Sequence, residues 1–187
     1  MNQERLERGL ELLADTVLAS KQLAPKVVKV AARYADVLRM GGTLFFCGNG
    51  GSAADAQHMA TEYVVRYMRT RRALRAIALT TDTSILTATG NDLGFDEIFA
   101  RQVEALARPG DLLVVHSTSG NSPNVIRAAE AARHLGVAVL ALSARDGGRL
   151  RALADHCVLI PVERTDRAQE LHLMIEHIIC ELVESDA

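Results

Sequence analysis

Tryptophan is absent from the chain, and only 4% of its 187 residues are aromatic. A protein that holds single-stranded nucleic acid by stacking the bases needs such rings, so the composition argues against that function. No charge of one sign dominates either, because 21 Lys and Arg residues stand against 23 Asp and Glu residues, for a formal net charge of −2. This balance argues against nucleic acid or an anionic membrane surface as a partner.

Cysteine is also scarce. Cys47, Cys157 and Cys180 lie far apart in the sequence and form no C-x-x-C motif, which argues against a disulfide framework or a cysteine-ligated zinc site. The first residues, MNQERLERGLELL, mix acids and bases where a signal peptide needs a basic start and an apolar run. No apolar stretch approaches the ~20 residues of a transmembrane helix. We therefore predict a cytoplasmic protein with no membrane partner.

Hydrophobic residues make up 49% of the chain, and its length fits one domain of the doubly wound α/β type. Continuous apolar runs alternate with helical segments from residue 43 onward, which predicts a parallel sheet covered by helices on both faces. We predict helices at about 3–20 and 25–40, strands at 43–47, 76–79, 112–115, 137–142 and 157–160, intervening helices at 52–68, 84–106, 123–135 and 148–154, and a long closing helix at 166–184. The single domain then spans residues 1–187, with N-terminal helices at about 3–40, a sheet core at about 43–160 and a C-terminal helix at about 166–184.

Two of the predicted strand-to-helix loops have the composition of phosphate-binding sites. The first, Cys47–Ala53, holds three glycines, and its Ser52 can cap the next helix with Asp55 at a capping-box-like spacing. The second, His116–Pro123, ends on a serine suited to an N-cap and a proline suited to a first helical position. Hydroxyls and free amides at the positive end of a helix dipole favour a phosphate group. The hydroxyls of this second loop, which we call the serine loop, belong to Ser117, Thr118, Ser119 and Ser122.

Nucleotide-binding alternatives fit the first loop less well. A P-loop needs a lysine after its glycines, and no lysine follows Gly51. Residues 48–53 satisfy the weak G-x-G-x-x-A pattern of dinucleotide-binding folds, but the acid expected about 20 residues later is missing, and Asp82 comes roughly ten residues too late. The helix after the glycines also carries His58 and Glu62, for which a dinucleotide site has no use.

A candidate catalytic or metal-binding cluster combines that helix with the closing helix. His58 and Glu62 are four residues apart, about 40° around one helix face, and can share a metal ion or a proton. A surface ion pair is the alternative. In the closing helix, periodicity places Glu176 within about 20° of Gln169 and His177 about 80° away, so it favours Glu176 over His177 without settling the choice. Further polar candidates, for which turn formation, capping or a solvated face is the alternative, are Arg66, Asn91, Asp92, Asp166 and His172.

Four sequence motifs together resemble the sugar isomerase (SIS) domain family. They are C-G-N-G-G-S-A-A-D-A-Q-H-x-A-x-E at 47–62, G-N-D-x-G-F at 90–95, G-D-x-L-x-x-x-S-T-S-G-N-S-x-N-V at 110–125 and R-x-Q-E-x-H-x-x-x-x-H at 167–177. The resemblance runs from about residue 5 to residue 184. It implies a five-stranded parallel sheet with flavodoxin-like strand order and a homotetramer. In that strand order, ligands bind between the first and third strands, where the two glycine- and serine-rich loops face each other.

The activity that the resemblance implies is aldose–ketose isomerisation. Sedoheptulose 7-phosphate would be converted into D-glycero-D-manno-heptose 7-phosphate through an enediol, as the first step of ADP-heptose or GDP-heptose biosynthesis. Glu62 and His177 are implied as the acid/base pair, so the resemblance prefers His177 to Glu176. One Zn²⁺ per subunit is implied on His58, Glu62, Gln169 and His177. Substrate contacts are implied for Asn49, Gly50, Ser52, Glu62, Arg66, Asn91, Asp92, Ser117, Thr118, Ser119, Ser122, Asp166 and Gln169.

One segment departs from the family pattern. Where the family usually has prolines before the second strand, this chain has Arg71-Arg-Ala-Leu-Arg75, which could change substrate preference. Arg66 continues the predicted helix face of Glu62 and could attract an anionic substrate. Two alternatives remain open: an isomerase of another sugar phosphate, and a non-catalytic SIS module of the kind that associates with the bacterial replication initiator. Modules of that kind lack equivalents of Glu62 and His177, and both residues are present here.

Overall fold

The computed structural model describes residues 2–185, so residues 1, 186 and 187 of the predicted domain lie outside the described range. Its centre is a five-stranded parallel sheet in the order β2-β1-β3-β4-β5. The strands are β1 (Leu44–Gly48), β2 (Ala76–Ala78), β3 (Leu112–His116), β4 (Ala138–Ala144) and β5 (His156–Ile160). The predicted parallel sheet and its flavodoxin-like order are confirmed, and the strand positions differ from the prediction by one or two residues.

The helices cover both faces of this sheet. They are α1 (Gln3–Ser20), α2 (Ala24–Arg39), α3 (Gly51–Val64), α4 (Thr83–Asp92), α5 (Ala100–Leu106), α6 (Pro123–His134), α7 (Leu150–Leu153) and α8 (Thr165–Ser185). Adjacent strand residues belong to opposite cores: Phe46 packs with α2, α3 and α8, whereas Phe45 packs with α5 and α6. Because both faces are buried, the strands read as continuous apolar runs.

The single helical segment predicted at 84–106 is wrong in one respect. The chain forms α4, then a 3₁₀ turn at Phe95–Glu97, and then α5. The interruption lies at Gly94, whose φ of +99° is a conformation that side chains with a Cβ rarely adopt. A continuous helix cannot pass through this residue.

The strand order places the switch point between β1 and β3, so the loops that follow these strands open onto one crevice. Asn49 in the first loop and Asn124 in the first turn of α6 exchange two side-chain hydrogen bonds, each 2.8 Å long. These bonds hold the two loops together across the crevice. Within residues 2–185, no helix combines the length and hydropathy that crossing a bilayer requires.

Candidate active site

The first loop leads into α3 through glycines that the local packing requires. Gly50 has a φ of +57° and precedes the helix as its N-cap. A Cβ on Gly51 would lie 2.6 Å from Oε1 of Gln169, so a larger residue here would displace the α8 side chain. The predicted N-cap role of Ser52 is wrong, because α3 already begins at Gly51. Ser52 is instead buried in the first turn, where its Oγ accepts a hydrogen bond of 3.3 Å from the Gln169 amide.

Two turns further along, α3 carries His58 and Glu62, which meet His177 of α8. We call these three residues the cleft cluster. Nε2 of His58 is 3.0 Å from Oε1 of Glu62 and 3.2 Å from Nε2 of His177. One ligand atom from each of the three residues lies within 4.8 Å of the others. The side chains of His58 and Glu62 are 43% and 17% exposed, so the cluster is open to solvent and to a substrate.

A single proton on Nε2 of His58 satisfies both contacts of the cleft cluster poorly. A ring nitrogen carries either a hydrogen or a lone pair. If Nε2 of His58 donates to Glu62, it has no lone pair left for His177; if it keeps the lone pair, it repels the carboxylate. A cation held jointly by the two imidazoles and the carboxylate removes this conflict. The donor set of two nitrogens and one oxygen fits a divalent metal such as Zn²⁺.

Glu176, the residue that helical periodicity favoured, does not face the cleft. Its carboxylate is buried, and it accepts hydrogen bonds from Nε2 of His116 at 2.6 Å and from the Tyr34 hydroxyl at 3.3 Å. Burial alone would lower the pKa of His116, but the adjacent Glu176 charge and hydrogen bond outweigh it and raise that pKa. The helical-periodicity ranking is therefore wrong, and His177 is the residue that meets His58.

His172 is likewise buried rather than placed in the cleft. Its Nε2 donates to the backbone carbonyl of Ser143 at 3.1 Å. Burial lowers the pKa of this imidazole to about 3, although the hydrogen bond to Ser143 opposes that shift. His172 is therefore neutral at ordinary pH, and its contact is a structural one.

Between β3 and α6, the serine loop is held by hydrogen bonds from its backbone amides to its own serine hydroxyls. The Gly120 amide donates to Oγ of Ser117 at 3.2 Å, and the Asn121 amide donates to Oγ of Ser119 at 3.2 Å. The N-cap of α6 is Ser122, as predicted, but its side chain makes no capping hydrogen bond. Thr118 and Ser119 are half-buried at the crevice. Both residues precede the N-terminus of α6, and helix N-termini favour anions.

Several other predicted site residues do not join the cleft cluster. Arg66 follows the end of α3 at Val64, so it cannot continue the helix face of Glu62, and it is exposed. Asn91 and Asp92 hydrogen-bond each other at the exposed end of α4. Asp166 pairs with Arg164, whose hydrogen bond lowers the pKa of that carboxyl.

Gln169 also lies apart from the cleft cluster within one chain. It precedes His177 by eight residues, which is about 12 Å along a helix axis, and its amide donates to Ser52. Although Gln169 belongs to α8, its side chain lies against the start of α3, beside the glycine loop.

Two features of the site were not predicted from the sequence. The Tyr67 ring stacks on the His177 ring, with centroids 5.5 Å apart and planes 15° from parallel. Arg71, from the arginine-rich segment, donates to the carbonyls of Glu62 and Tyr63 and pairs with Glu184 of α8 at 3.0 Å. This arginine therefore braces the end of α3 against α8, and its partner lies too far away in sequence for periodicity to reveal it.

Comparisons with known proteins identify the family of this chain. The SIS domain family matches residues 11–144. A phosphoheptose isomerase from Roseiflexus sp. is 53% identical over 97% of this chain and 90% of its own length, and one from Akkermansia muciniphila is 49% identical over 93% and 92%. The structure of phosphoheptose isomerase GmhA from Neisseria gonorrhoeae superposes with a TM-score of 0.93 at 44% identity, covering 98% of each chain. The chain therefore belongs to the SIS domain family, within which these similar relatives are phosphoheptose isomerases.

Proposed function

We propose that this protein is an aldose–ketose isomerase that converts sedoheptulose 7-phosphate into D-glycero-D-manno-heptose 7-phosphate, the first step of heptose biosynthesis. The observation that carries the proposal is the cleft cluster, in which a carboxylate and an imidazole of α3 converge with an imidazole of α8. An isomerase needs an acid and a base on the same substrate, and relatives that match 93% and 97% of this chain are named phosphoheptose isomerases.

In this mechanism the serine loop holds the phosphate, and the carbonyl end of the sugar reaches α3. Glu62 removes a proton from the carbon beside the carbonyl, which gives an enediol. His177, as the partner acid, delivers a proton to the neighbouring carbon, while a hydroxyl proton passes between the two oxygens. Glu62 then gives its proton to solvent and His177 takes one up from solvent, so both groups return to their starting states. Histidine is a common general acid and base in enzymes, which suits His177 to this role.

We further propose that His58, Glu62 and His177 hold one Zn²⁺ per subunit. Zinc bound there would act as a Lewis acid on the substrate oxygens. Catalytic zinc sites use three protein ligands and leave a position for water or substrate, so the three side chains suffice without Gln169. Neither Glu62 nor His177 can use one atom as metal ligand and as base or acid at the same moment. The two oxygens of Glu62 would divide its tasks, and His177 would act as the acid only while its donating nitrogen is not bound to the metal.

The remaining site assignments are part of the same proposal. Residues on the two loops and at the helix ends would contact the sugar and its phosphate: Asn49, Gly50, Ser52, Arg66, Asn91, Asp92, Ser117, Thr118, Ser119, Ser122, Asp166 and Gln169. Several of these are exposed in one chain, and we propose that a homotetramer of this single SIS domain completes the site. Exposed leucines on α1, Leu6 at 64% and Leu10 at 58%, support association. Light scattering should give four times the mass of one chain.

The direct test is to incubate the protein with sedoheptulose 7-phosphate, with and without Zn²⁺, and to follow the products by proton NMR. Appearance of the aldoheptose phosphate supports the proposal. Five- and six-carbon ketose phosphates serve as competitors, and faster turnover of one of these would reassign the substrate. Folded, metal-loaded protein that turns over none of them would favour a binding module over an isomerase.

A further inference from the structure

A second imidazole–carboxylate pair lies beneath the crevice and takes no part in the proposed chemistry. His116 ends β3, and Glu176 belongs to α8; the His116 ring donates to the Glu176 carboxylate at 2.6 Å. Their side chains are 0% and 1% exposed. The second carboxylate oxygen of Glu176 accepts a hydrogen bond from Tyr34 of α2 at 3.3 Å. We call His116 and Glu176 the buried pair.

Stability does not account for the buried pair. Removing two charged groups from water is costly, and their attraction in the interior repays that cost only in part, so apolar residues of similar volume often do as well or better. Burial also disfavours the charged form of His116, which adds to the cost. We therefore look for the role of the pair in the position that it gives to β3 and α8 relative to each other.

Both members of the buried pair are adjacent in sequence to residues of the proposed site. His116 directly precedes Ser117 of the serine loop, and Glu176 directly precedes His177 of the cleft cluster. One hydrogen bond thus joins the strand end that begins the serine loop to the helix turn that supplies the proposed acid. Loop and helix are separated by 60 residues of sequence at this contact.

The same contact fixes the rotation of α8. Successive helix residues point about 100° apart, so a Glu176 side chain anchored inward leaves His177 turned toward α3. Tyr34 holds the other oxygen of the carboxylate, and Glu176 is therefore tied to α2 and to β3 at once. A small rotation of α8 would break these bonds and would move His177 away from His58.

We propose that the buried pair is a positioning device: Glu176 and His116 set the rotation of α8 so that His177 completes the cleft cluster at a fixed place relative to the serine loop. Glu176 and His116 touch neither the metal ligand atoms nor the substrate, and they act through His177 and Ser117. The kinetic part of this inference rests on the proposed isomerase activity. The metal-binding part depends only on the cleft cluster and can be measured without a substrate.

The test compares three variants of the full-length protein. His116→Leu/Glu176→Met replaces the pair by apolar side chains. Glu176→Gln keeps the shape and one oxygen that accepts from His116, while its amide can donate to the Tyr34 hydroxyl oxygen. Ile179→Val is a matched control that changes the α8 core at a position outside the pair. Each is titrated with Co²⁺, whose visible absorption reports the coordination by the cleft cluster. Each is then assayed with sedoheptulose 7-phosphate for kcat and KM.

We expect the double variant to fold and to bind Co²⁺ about 10–100-fold more weakly. Its kcat should fall by about 10–100-fold, and its KM should change by less than about threefold. The reason is that a misplaced acid slows the chemistry more than it weakens phosphate binding. Glu176→Gln should recover most of both losses. Ile179→Val should match the wild type in both measurements.

A folded double variant with wild-type Co²⁺ affinity and spectrum would overturn the proposal. So would a Glu176→Gln variant as impaired as the double variant, because the effect would then belong to the charge and not to the position. If the double variant does not fold, Tyr34→Phe decides: it removes one anchor and keeps the charge, and unchanged Co²⁺ affinity would overturn the proposal. A wild-type protein without turnover refutes the proposed function, while the Co²⁺ titrations still decide the positioning role.

Discussion

Two sets of imidazole and carboxylate groups lie side by side in this molecule, and they differ mainly in burial. The cleft cluster exposes 43% of the His58 side chain and 17% of that of Glu62, whereas the buried pair of His116 and Glu176 is 0% and 1% exposed. The two sets meet at consecutive residues of α8, Glu176 and His177. The same functional groups therefore have different roles, because only the exposed set can exchange protons with a substrate.

The difference shows how burial divides the labour between chemically similar residues. In the cleft, an imidazole–carboxylate contact leaves lone pairs free for a metal ion or a reacting oxygen. In the interior, the same contact is locked by a 2.6 Å hydrogen bond and by Tyr34. A buried pair is costly to break and hard to move, which makes it suitable for fixing geometry and unsuitable for turnover.

The largest expected effect comes from removing Glu62, the proposed base of the cleft cluster. We predict that Glu62→Gln lowers kcat by ~10²–10⁴-fold, the range typical of a positioned acid or base, and leaves the unfolding midpoint nearly unchanged because the side chain lies at the surface of the crevice. Steady-state assays together with thermal unfolding measure both. Glu181→Gln, an exposed carboxylate on α8, is the matched control. Retention of most activity by Glu62→Gln would remove this residue from the base role.

Breaking the buried pair should have the opposite signature. Glu176→Met alone leaves His116 buried without its partner, which is expected to lower the free energy of unfolding by about 3–5 kcal/mol. Adding His116→Leu should recover most of that loss, since the unpaired buried group is gone. Urea unfolding of the two variants gives the comparison. A double variant as unstable as the single one would mean that the pair itself stabilises the fold.

Metal binding should distinguish the two sets more finely. Zn²⁺ at 100 times its dissociation constant should raise the free energy of unfolding by about 2.7 kcal/mol, as for any ligand that binds only the folded state. His58→Asn should abolish this increase, whereas His134→Asn, an exposed histidine at the end of α6, should keep it. Thermal unfolding with Zn²⁺ and with a chelator measures it. Equal stabilisation of both variants would place the metal outside the cleft cluster.

The smallest expected effect is a pH dependence from His172. Its folded-state pKa of about 3 lies below the ordinary value of 6.5, so the unfolded chain binds a proton that the folded chain refuses. Stability is therefore lost as the pH falls below about 6.5, by about 2 kcal/mol between pH 7 and pH 5. His172→Gln should flatten this slope by that amount in urea unfolding at the two pH values. An unchanged slope would show that His172 is protonated in the folded protein.

The raised pKa of His116 acts in the opposite direction. Its contribution to stability is present below about 6.5 and is lost as the pH rises through its folded-state pKa. Comparing the His172→Gln variant with the wild type at each pH isolates the contribution of His172, including its repulsion with His116.

Sequence alone predicted the sheet well and the cluster incompletely. The strands were identifiable because both faces of each are buried, as Phe45 and Phe46 show by packing in opposite cores. The break between α4 and α5 was missed because one glycine, Gly94, determines it through its backbone conformation. Both features depend on residues close together in the sequence. A strand shows as a run of several apolar residues, whereas the helix break depends on a single glycine and is harder to recognise.

The errors at the site have a different origin. Helical periodicity favoured Glu176 over His177 because it gives only the angle of each residue around the α8 axis. It does not show which element packs against that side of the helix, and α8 packs against α2, α3 and β4. The brace between Arg71 and Glu184 joins residues 113 positions apart and was equally hidden. Long-range partners of this kind require the fold before they can be assigned.

The most direct test of the account is proton exchange in heavy water with sedoheptulose 7-phosphate, run in parallel on the wild type, Glu62→Gln and Glu176→Gln. We predict that the wild type and Glu176→Gln yield aldoheptose phosphate carrying solvent deuterium at the carbon beside the carbonyl, and that Glu62→Gln shows neither product nor exchange above background. Deuterium incorporation by Glu62→Gln at the wild-type rate would contradict the assignment of the chemistry to the cleft cluster.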